Sequence, residues 1–94
     1  MIVRIMTEGQ YMLPGSYIDR LNAIDDRIVD MVANNDRVKF QAELKKMLDL
    51  VRQKGRPVPW DELVESDIVL PHPDITIDEA KDLFVGDGLV PNSK

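Results

Sequence analysis

The side chains that could do chemistry are few in this sequence, and they are isolated from one another. Four carboxylates crowd one stretch, at Asp61, Glu62, Glu65 and Asp67, and carboxylate oxygens are the ligands that hard divalent cations prefer. The stretch lacks the glycine and the regular alternation of ligands of a calcium-binding loop. We therefore interpret it as a solvated acidic segment, and we keep a small metal-binding protein or enzyme that uses residues 61–67 as a less favoured hypothesis.

Motifs for nucleophilic or phosphate chemistry are missing. The sequence has no cysteine, and His72 is its single histidine, which excludes disulfides, thiolate metal sites and multi-histidine metal sites. The serines lack the flanking glycines of a nucleophile elbow. Gly86-Asp87-Gly88 follows a predicted helix instead of a strand, which is typical of a helix end and not of a phosphate loop. We predict no catalytic residue, no cofactor and no metal.

Charge is distributed unevenly along a chain whose net charge is −5. Residues 36–56 carry seven basic and three acidic side chains, whereas residues 57–94 carry two basic and nine acidic ones. The overall sign disfavours nucleic acid and anionic lipid as main ligands. We interpret the basic segment as the cationic end of a helix. A second interpretation is that its cations face the acidic C-terminal third of the same molecule.

No targeting or membrane-spanning segment is visible in the sequence. The apolar opening, residues 1–6, contains Arg4 and is too short for the core of a signal peptide. No apolar run approaches the roughly 18 residues needed to cross a bilayer. We expect a cytoplasmic protein, and the length of 94 residues predicts a single domain over residues 1–94.

Signals for a β-hairpin open the chain. Residues 1–6 are rich in β-branched and apolar side chains, and a second short candidate strand covers residues 10–13. Between them, residues 7–9 form a turn of hairpin length that contains glycine. A two-stranded hairpin is marginal alone, so it needs another element to pack on.

Two apolar stripes at helical spacing follow the hairpin. The first runs from Ile18 to Val32 and the second from Phe40 to Val51, with the polar pair Asn34-Asn35 between them. Each stripe covers roughly five helical turns. Together they predict a long antiparallel helical hairpin.

The ends of these helices have recognisable capping residues. Ser16 is the predicted N-cap of the first helix, and Asn35 or Asp36 that of the second. Gly55 is predicted to end the second helix. Asp25 and the aspartate after it are expected to occupy the polar side of the first helix.

The C-terminal third predicts a short extended segment and a third helix. Prolines exclude regular helix at residues 56–60, and residues 67–71 have the pattern of an extended piece. Thr76 and Glu79 form a capping box for a helix that runs to about Phe84. The predicted fold class is therefore α+β, with an N-terminal β-hairpin, a long antiparallel helical hairpin, a short C-terminal extended segment and a third helix.

The remaining function class is contact with other proteins. We assign the apolar stripes to the molecule's own core and expect contacts at strand edges, at the single tryptophan and on charged helix faces. The residues predicted to bind a partner are Tyr11, Trp60 and Asp67. A self-assembling homodimer, built by strand pairing or helix packing, is the alternative hypothesis.

Several segments spread over nearly the full chain match a known family. They are Met1–Met6, Glu8–Tyr11, Leu21–Asn22, Ile24–Asp25, Leu48, Leu50–Val51, Gly55, Leu63, Ser66–Pro71 and Gly86–Pro91. The opening and the last two segments are specific, whereas the helical residues are generic. On these segments the chain resembles the PspA-associated proteins.

The resemblance implies a function that the residues do not show by themselves. It implies an accessory or regulatory protein that acts alongside PspA, the membrane-remodelling coiled-coil protein of the phage-shock response. The chain would then be a non-enzymatic adaptor in protection against envelope stress. It would reach the inner face of the membrane only through PspA. From the net charge, we expect that it binds no nucleic acid.

Overall fold

Four short strands and three α-helices build the fold. The computed structural model describes residues 1–62, 64–84 and 89. In chain order the elements are β1 Ile2–Ile5, β2 Gly9–Met12, a 3-10 turn Gly15–Tyr17, α1 Ile18–Ala33, α2 Arg37–Lys54, β3 Arg56–Pro57, β4 Ile68–Leu70 and α3 Ile77–Ala80. The predicted α+β class, the N-terminal hairpin and the pair of long helices are confirmed.

The strands form one mixed sheet in the order β3-β2-β1-β4. β1 and β2 are antiparallel, as the hairpin requires. β4 lies parallel to β1, with Val3 opposite Ile68, and β3 adds Pro57 beside Tyr11 on the outer side of β2. The hairpin thus gains one neighbouring strand on each side, which supplies the packing that two strands alone lack.

The hairpin turn uses backbone conformations with positive φ at two positions. Thr7 has a φ of 76° and Gly9 a φ of 130°, and the second of these is a region that glycine adopts without steric cost. The Glu8 amide donates to the Ile5 carbonyl at 3.0 Å. This turn holds Glu8 close to α2, where the side chain finds a partner described below.

The helical hairpin covers one face of the sheet. α1 has 16 residues and α2 has 18, close to the predicted lengths. Their buried apolar side chains are Leu21, Ile24, Ile28, Val32, Phe40, Leu44, Met47, Leu48 and Val51. These pack with buried residues of β1 and β4 in one cluster, so the apolar stripes serve the molecule's own core.

The link between the two helices has the predicted chemistry. Asn35 adopts a φ of 55°, and the Asp36 carboxylate caps α2 by accepting from the Lys39 amide at 3.2 Å. At the other end of α2, the Gly55 amide donates to the Val51 carbonyl at 2.8 Å. Among the described residues, no helix has both the length and the apolar character needed to cross a membrane.

The start of α1 differs from the prediction. Ser16 is not an N-cap, because it lies inside the 3-10 turn and α1 begins after it with no side-chain cap. The Tyr17 amide donates to the Pro14 carbonyl at 3.1 Å. This backbone bond leads the chain directly into the helix, so no hydroxyl is needed there.

The third helix is shorter than predicted. It ends at Ala80, and the turns that follow carry Phe84 into the core. There the Phe84 ring meets Phe40 edge to face, with ring centroids 6.3 Å apart. The predicted helix end at Gly86 and Gly88 lies outside the described residues.

Candidate functional site

A groove of about 200 Å³ lies at the corner where β3 meets the hairpin turn. We call it the Trp60 groove. One wall comes from the turn and β2, with Glu8, Gln10 and Tyr11, and the other comes from the proline-rich segment 57–60. Two of the three residues predicted to bind a partner, Tyr11 and Trp60, are therefore brought together.

Trp60 is the most exposed large apolar side chain in the described part of the chain, at 87%. The backbone around it is held in place. The Val58 amide donates to the Gln10 carbonyl at 2.9 Å, and the Glu62 amide donates to the Pro59 carbonyl at 3.1 Å. The indole also lies close to Gly9, where an added Cβ would come 3.9 Å from a ring carbon. Exposed aromatic side chains on a rigid backbone are typical anchors of protein interfaces.

Tyr11 lies half-buried beside the C-terminal end of α2. An added Cβ at Gly55 would come 2.5 Å from the Val51 carbonyl oxygen of α2 and 3.0 Å from the Tyr11 Cβ of β2, so the end of α2 beside Tyr11 requires glycine. The Tyr11 hydroxyl donates to Glu8 Oε2 at 3.3 Å. Burial and the neighbouring Glu8 charge raise the pKa of Tyr11, which keeps the phenol neutral.

Tyr11 is not on a free strand edge, because β3 covers β2. The half-buried ring is still accessible from the Trp60 groove. That Tyr11 contacts a partner stays a prediction.

An ion-pair network supports the turn side of the groove. Arg52 Nε donates to Glu8 Oε2 at 3.0 Å, a second guanidinium nitrogen binds the other Glu8 oxygen, and Arg52 Nη1 donates to Asp49 Oδ1 at 3.2 Å. The bond from Arg52 lowers the pKa of Glu8 below its usual range. Glu8 therefore stays ionised at neutral pH, and the network ties the hairpin turn to α2.

Asp67, the third predicted contact residue, lies outside the groove. Its carboxylate accepts from the Ile2 amide at 2.7 Å, and its own amide donates to the Ile2 carbonyl at 2.8 Å. These bonds hold the start of β4 on β1. Asp67 thus has a structural role within the protein, and its contact with a partner stays a prediction.

The segment before β4 is tied to the hairpin through Gln10. The Gln10 side chain donates from Nε2 to Ser66 Oγ at 2.8 Å and to the Val64 carbonyl at 2.9 Å. Val64 also lines the Trp60 groove. Gln10 therefore links the groove to the strand that Asp67 holds.

A family comparison relates this architecture to known proteins. The model of the family of PspA-associated proteins, PspAA, matches residues 1–92 of the chain. The chain belongs to this family. No curated protein and no solved structure matches the chain. The matched range covers the residues of the Trp60 groove and of β4, and the family name suggests association with PspA.

The acidic stretch of this PspAA protein forms no metal site in the described residues. No group of three or more histidine, cysteine, aspartate or glutamate side chains is placed there to hold a metal ion. Asp61, Glu62 and Glu65 are exposed, as expected of a solvated segment.

In this PspAA protein, Asp25 does not lie on the face of α1 that we expected. Asp25 is fully buried, whereas we expected it on the polar side of α1. Its Oδ1 accepts from the Leu89 amide at 3.1 Å, so it holds part of the C-terminal segment against α1. The available signal was its spacing, because Asp25 lies four residues after Leu21 and three before Ile28, on the buried stripe.

Proposed function

We propose that this chain is a non-enzymatic adaptor that binds a PspA-like protein in an envelope-stress response. It works in the cytoplasm and reaches the membrane only through that partner. The family description supports the link to PspA. The observation that carries the binding role is the exposed indole of Trp60 on a rigid, proline-rich segment.

Trp60 has the properties of an interface anchor. Covering a tryptophan removes about 150–250 Å² from water, which stabilises a complex by roughly 4–6 kcal/mol before the costs of association. The neighbouring prolines and the two backbone bonds around Trp60 limit the entropy lost when the segment is covered. Tyr11 would add a second aromatic contact from one wall of the groove.

The proposed binding can be measured by isothermal titration of this protein with PspA from the same source. We expect Trp60→Ala to weaken the affinity by about tenfold or more, as for an interface hot spot. Val38→Ala is the matched control, because Val38 is 81% exposed and lies in the first turn of α2, away from the groove. It should leave the affinity unchanged.

Two results would reject parts of this proposal. The absence of association between the wild-type protein and PspA at tens of micromolar would reject direct binding. Equal affinities of the Trp60→Ala and Val38→Ala variants would reject the Trp60 groove as the contact, although binding itself would stand.

A homodimer is the second candidate, and the position of β4 supports it. β4 is the terminal strand of the sheet, and its Val69 is 47% exposed. Two copies could pair along this edge and form one continuous sheet. Light scattering that reports a monomer at high protein concentration would reject this candidate.

A further inference from the structure

A second groove, distinct from the Trp60 groove, lies between α1 and α2. It has a volume of about 490 Å³, and we call it the helix groove. Its apolar part consists of Ala23 and Ile24 from α1 and Leu50 from α2. Ala23 is exposed, whereas Leu50 is half-buried and Ile24 is at the limit of burial, so Ile24 and Leu50 form an apolar surface recessed between the two helices.

Cations line the helix groove on both sides. Arg20 and Arg27 come from α1, Lys46 and Lys54 come from α2, and Asp49 is the one acidic residue among the described lining. This concentration of positive charge occurs on a chain whose net charge is −5. It is therefore a local feature, opposite in sign to the molecule as a whole.

Part of this positive charge is used inside the protein. Arg27 Nε and Lys46 Nζ both bind the buried Glu43 carboxylate, at 3.1 Å and 3.0 Å. Burial opposes the charged form of Glu43, but the bonds from Lys46 and Arg27 outweigh it and lower the pKa of the carboxylate. Glu43 therefore stays charged. Asp49 is held by Arg52.

Two cations of the helix groove have no carboxylate partner in the described part of the chain. The Arg20 guanidinium lies over the Tyr17 ring, 5.8 Å from its centroid, and Lys54 forms no ion pair among the described residues. The described residues of the acidic C-terminal third do not neutralise the groove either. Its one described ion pair with the basic segment joins Arg37 to Asp78 at 3.7 Å, away from the groove.

We propose that the helix groove binds an acidic amphipathic helix of the PspA-like partner; this inference rests on the proposed function. Arg20 to Arg27 and Lys46 to Lys54 each span about 10–12 Å along a helix axis, which matches about two turns of a bound helix. A short apolar stripe would cover Ala23 and Leu50. Carboxylates on its flanks would meet the cations on either side.

The observations favour such a helix over other ligands. A flat bilayer would have to reach an apolar surface that is recessed between cationic side chains, which a narrow helix can enter. Nucleic acid is disfavoured because the described lining offers no aromatic side chain for base stacking. A helix that lies along the groove between two others is an ordinary packing arrangement.

The test compares two double variants with the same change in net charge. Arg20→Glu with Lys54→Glu reverses the two cations without carboxylate partners. Lys39→Glu with Lys45→Glu reverses two exposed cations of α2 that do not line the groove. In titrations with PspA, we expect the first variant to weaken the affinity by about tenfold or more and the second by less than about twofold. Thermal unfolding of each variant verifies that it is folded.

The outcomes separate this inference from the proposed function. If wild-type protein does not bind PspA, both fall. If the Arg20 and Lys54 variant binds like wild type while Trp60→Ala binds weakly, the helix groove is rejected and the adaptor role stands. Equal weakening by both double variants also rejects the groove, because it shows a general effect of net charge.

Two further measurements identify the competing occupants. Vesicles that contain anionic phospholipid should not bind the wild-type protein, and binding that the Arg20 and Lys54 variant loses would overturn the inference in favour of a membrane surface. Likewise, light scattering that shows a wild-type dimer broken by this variant would assign the groove to a second copy of the chain.

Discussion

Arg52 in the last turn of α2 binds Glu8 in the hairpin turn, with 3.0 Å between Arg52 Nε and Glu8 Oε2. The contact joins residues that are 44 positions apart, and it connects the helical layer to the sheet beside the Trp60 groove. The two side chains are 32% and 26% exposed, so solvent screens the pair in part. We expect a contribution to stability of about 1 kcal/mol.

The Glu8–Arg52 pair should make stability depend on pH. The folded pKa of Glu8 is lowered, so the pair's contribution is complete above the ordinary carboxyl pKa and is lost as the pH falls through the folded pKa. At pH 7 we expect Glu8→Gln to lower the free energy of unfolding by about 1 kcal/mol. Urea denaturation from neutral to acidic pH should show this difference disappear.

Glu62→Gln is the control for this prediction. Glu62 lines the same groove but forms no ion pair among the described residues, so its replacement should change stability by less than about 0.5 kcal/mol. A Glu8→Gln deficit that persists in acid would contradict the electrostatic origin of the effect.

The buried carboxylate of Asp25 should be important for stability. Asp25→Ala leaves the Leu89 amide without this acceptor and removes a fully buried carboxylate, so we expect the free energy of unfolding to fall by about 2 kcal/mol. The neighbouring Asp26 is exposed, and Asp26→Ala should cost less than about 0.5 kcal/mol. Urea denaturation of the two variants measures the contrast, and equal effects would show that burial of Asp25 does not matter.

The capping box of α3 should matter where the predicted cap of α1 does not. Thr76 Oγ1 accepts from the Glu79 amide at 3.2 Å, so Thr76→Ala should lower the free energy of unfolding by about 1 kcal/mol. Ser16 caps no helix in the structure, so Ser16→Ala should have little effect. Thermal or urea unfolding compares the two, and a larger loss from Ser16→Ala would contradict the assigned caps.

Thr76→Ala should also change the pKa of Glu79, which NMR can measure. Hydrogen bonds from the Thr76 side chain and amide lower the pKa of Glu79. Thr76→Ala removes the side-chain bond, so an NMR titration should show the pKa of Glu79 rise toward its usual value. A Glu79 pKa that does not move would mean that the capping box does not form in solution.

Local patterns in the sequence were sufficient to predict the two long helices and the β-hairpin. The apolar stripes lie at the helical period, and Asn35 and Asp36 have the chemistry of the link that the structure shows. The strands β3 and β4 could not be predicted as members of a sheet, because two or three residues contain no measurable periodicity. Their pairing depends on contacts with β1 and β2 from far along the chain.

The candidate site was predicted only in part, for a similar reason. An isolated tryptophan between prolines could be named from the sequence, but its proximity to Tyr11 depends on the pairing of β3 with β2. Asp67 could be named as well, whereas its bond to the Ile2 amide depends on the parallel pairing of β4 with β1.

The sequence by itself determined the α+β fold class of this protein, its helical hairpin and its membership of the PspAA family. Periodicity, capping residues and family segments are local properties of the chain, so they can be recognised without the structure. Tertiary structure alone decided that Asp25 binds the Leu89 amide, that Trp60 and Tyr11 line one groove, and that cations from α1 and α2 line another. Each of these depends on the distance between residues that are far apart in the chain, which only the packing of helices and strands establishes.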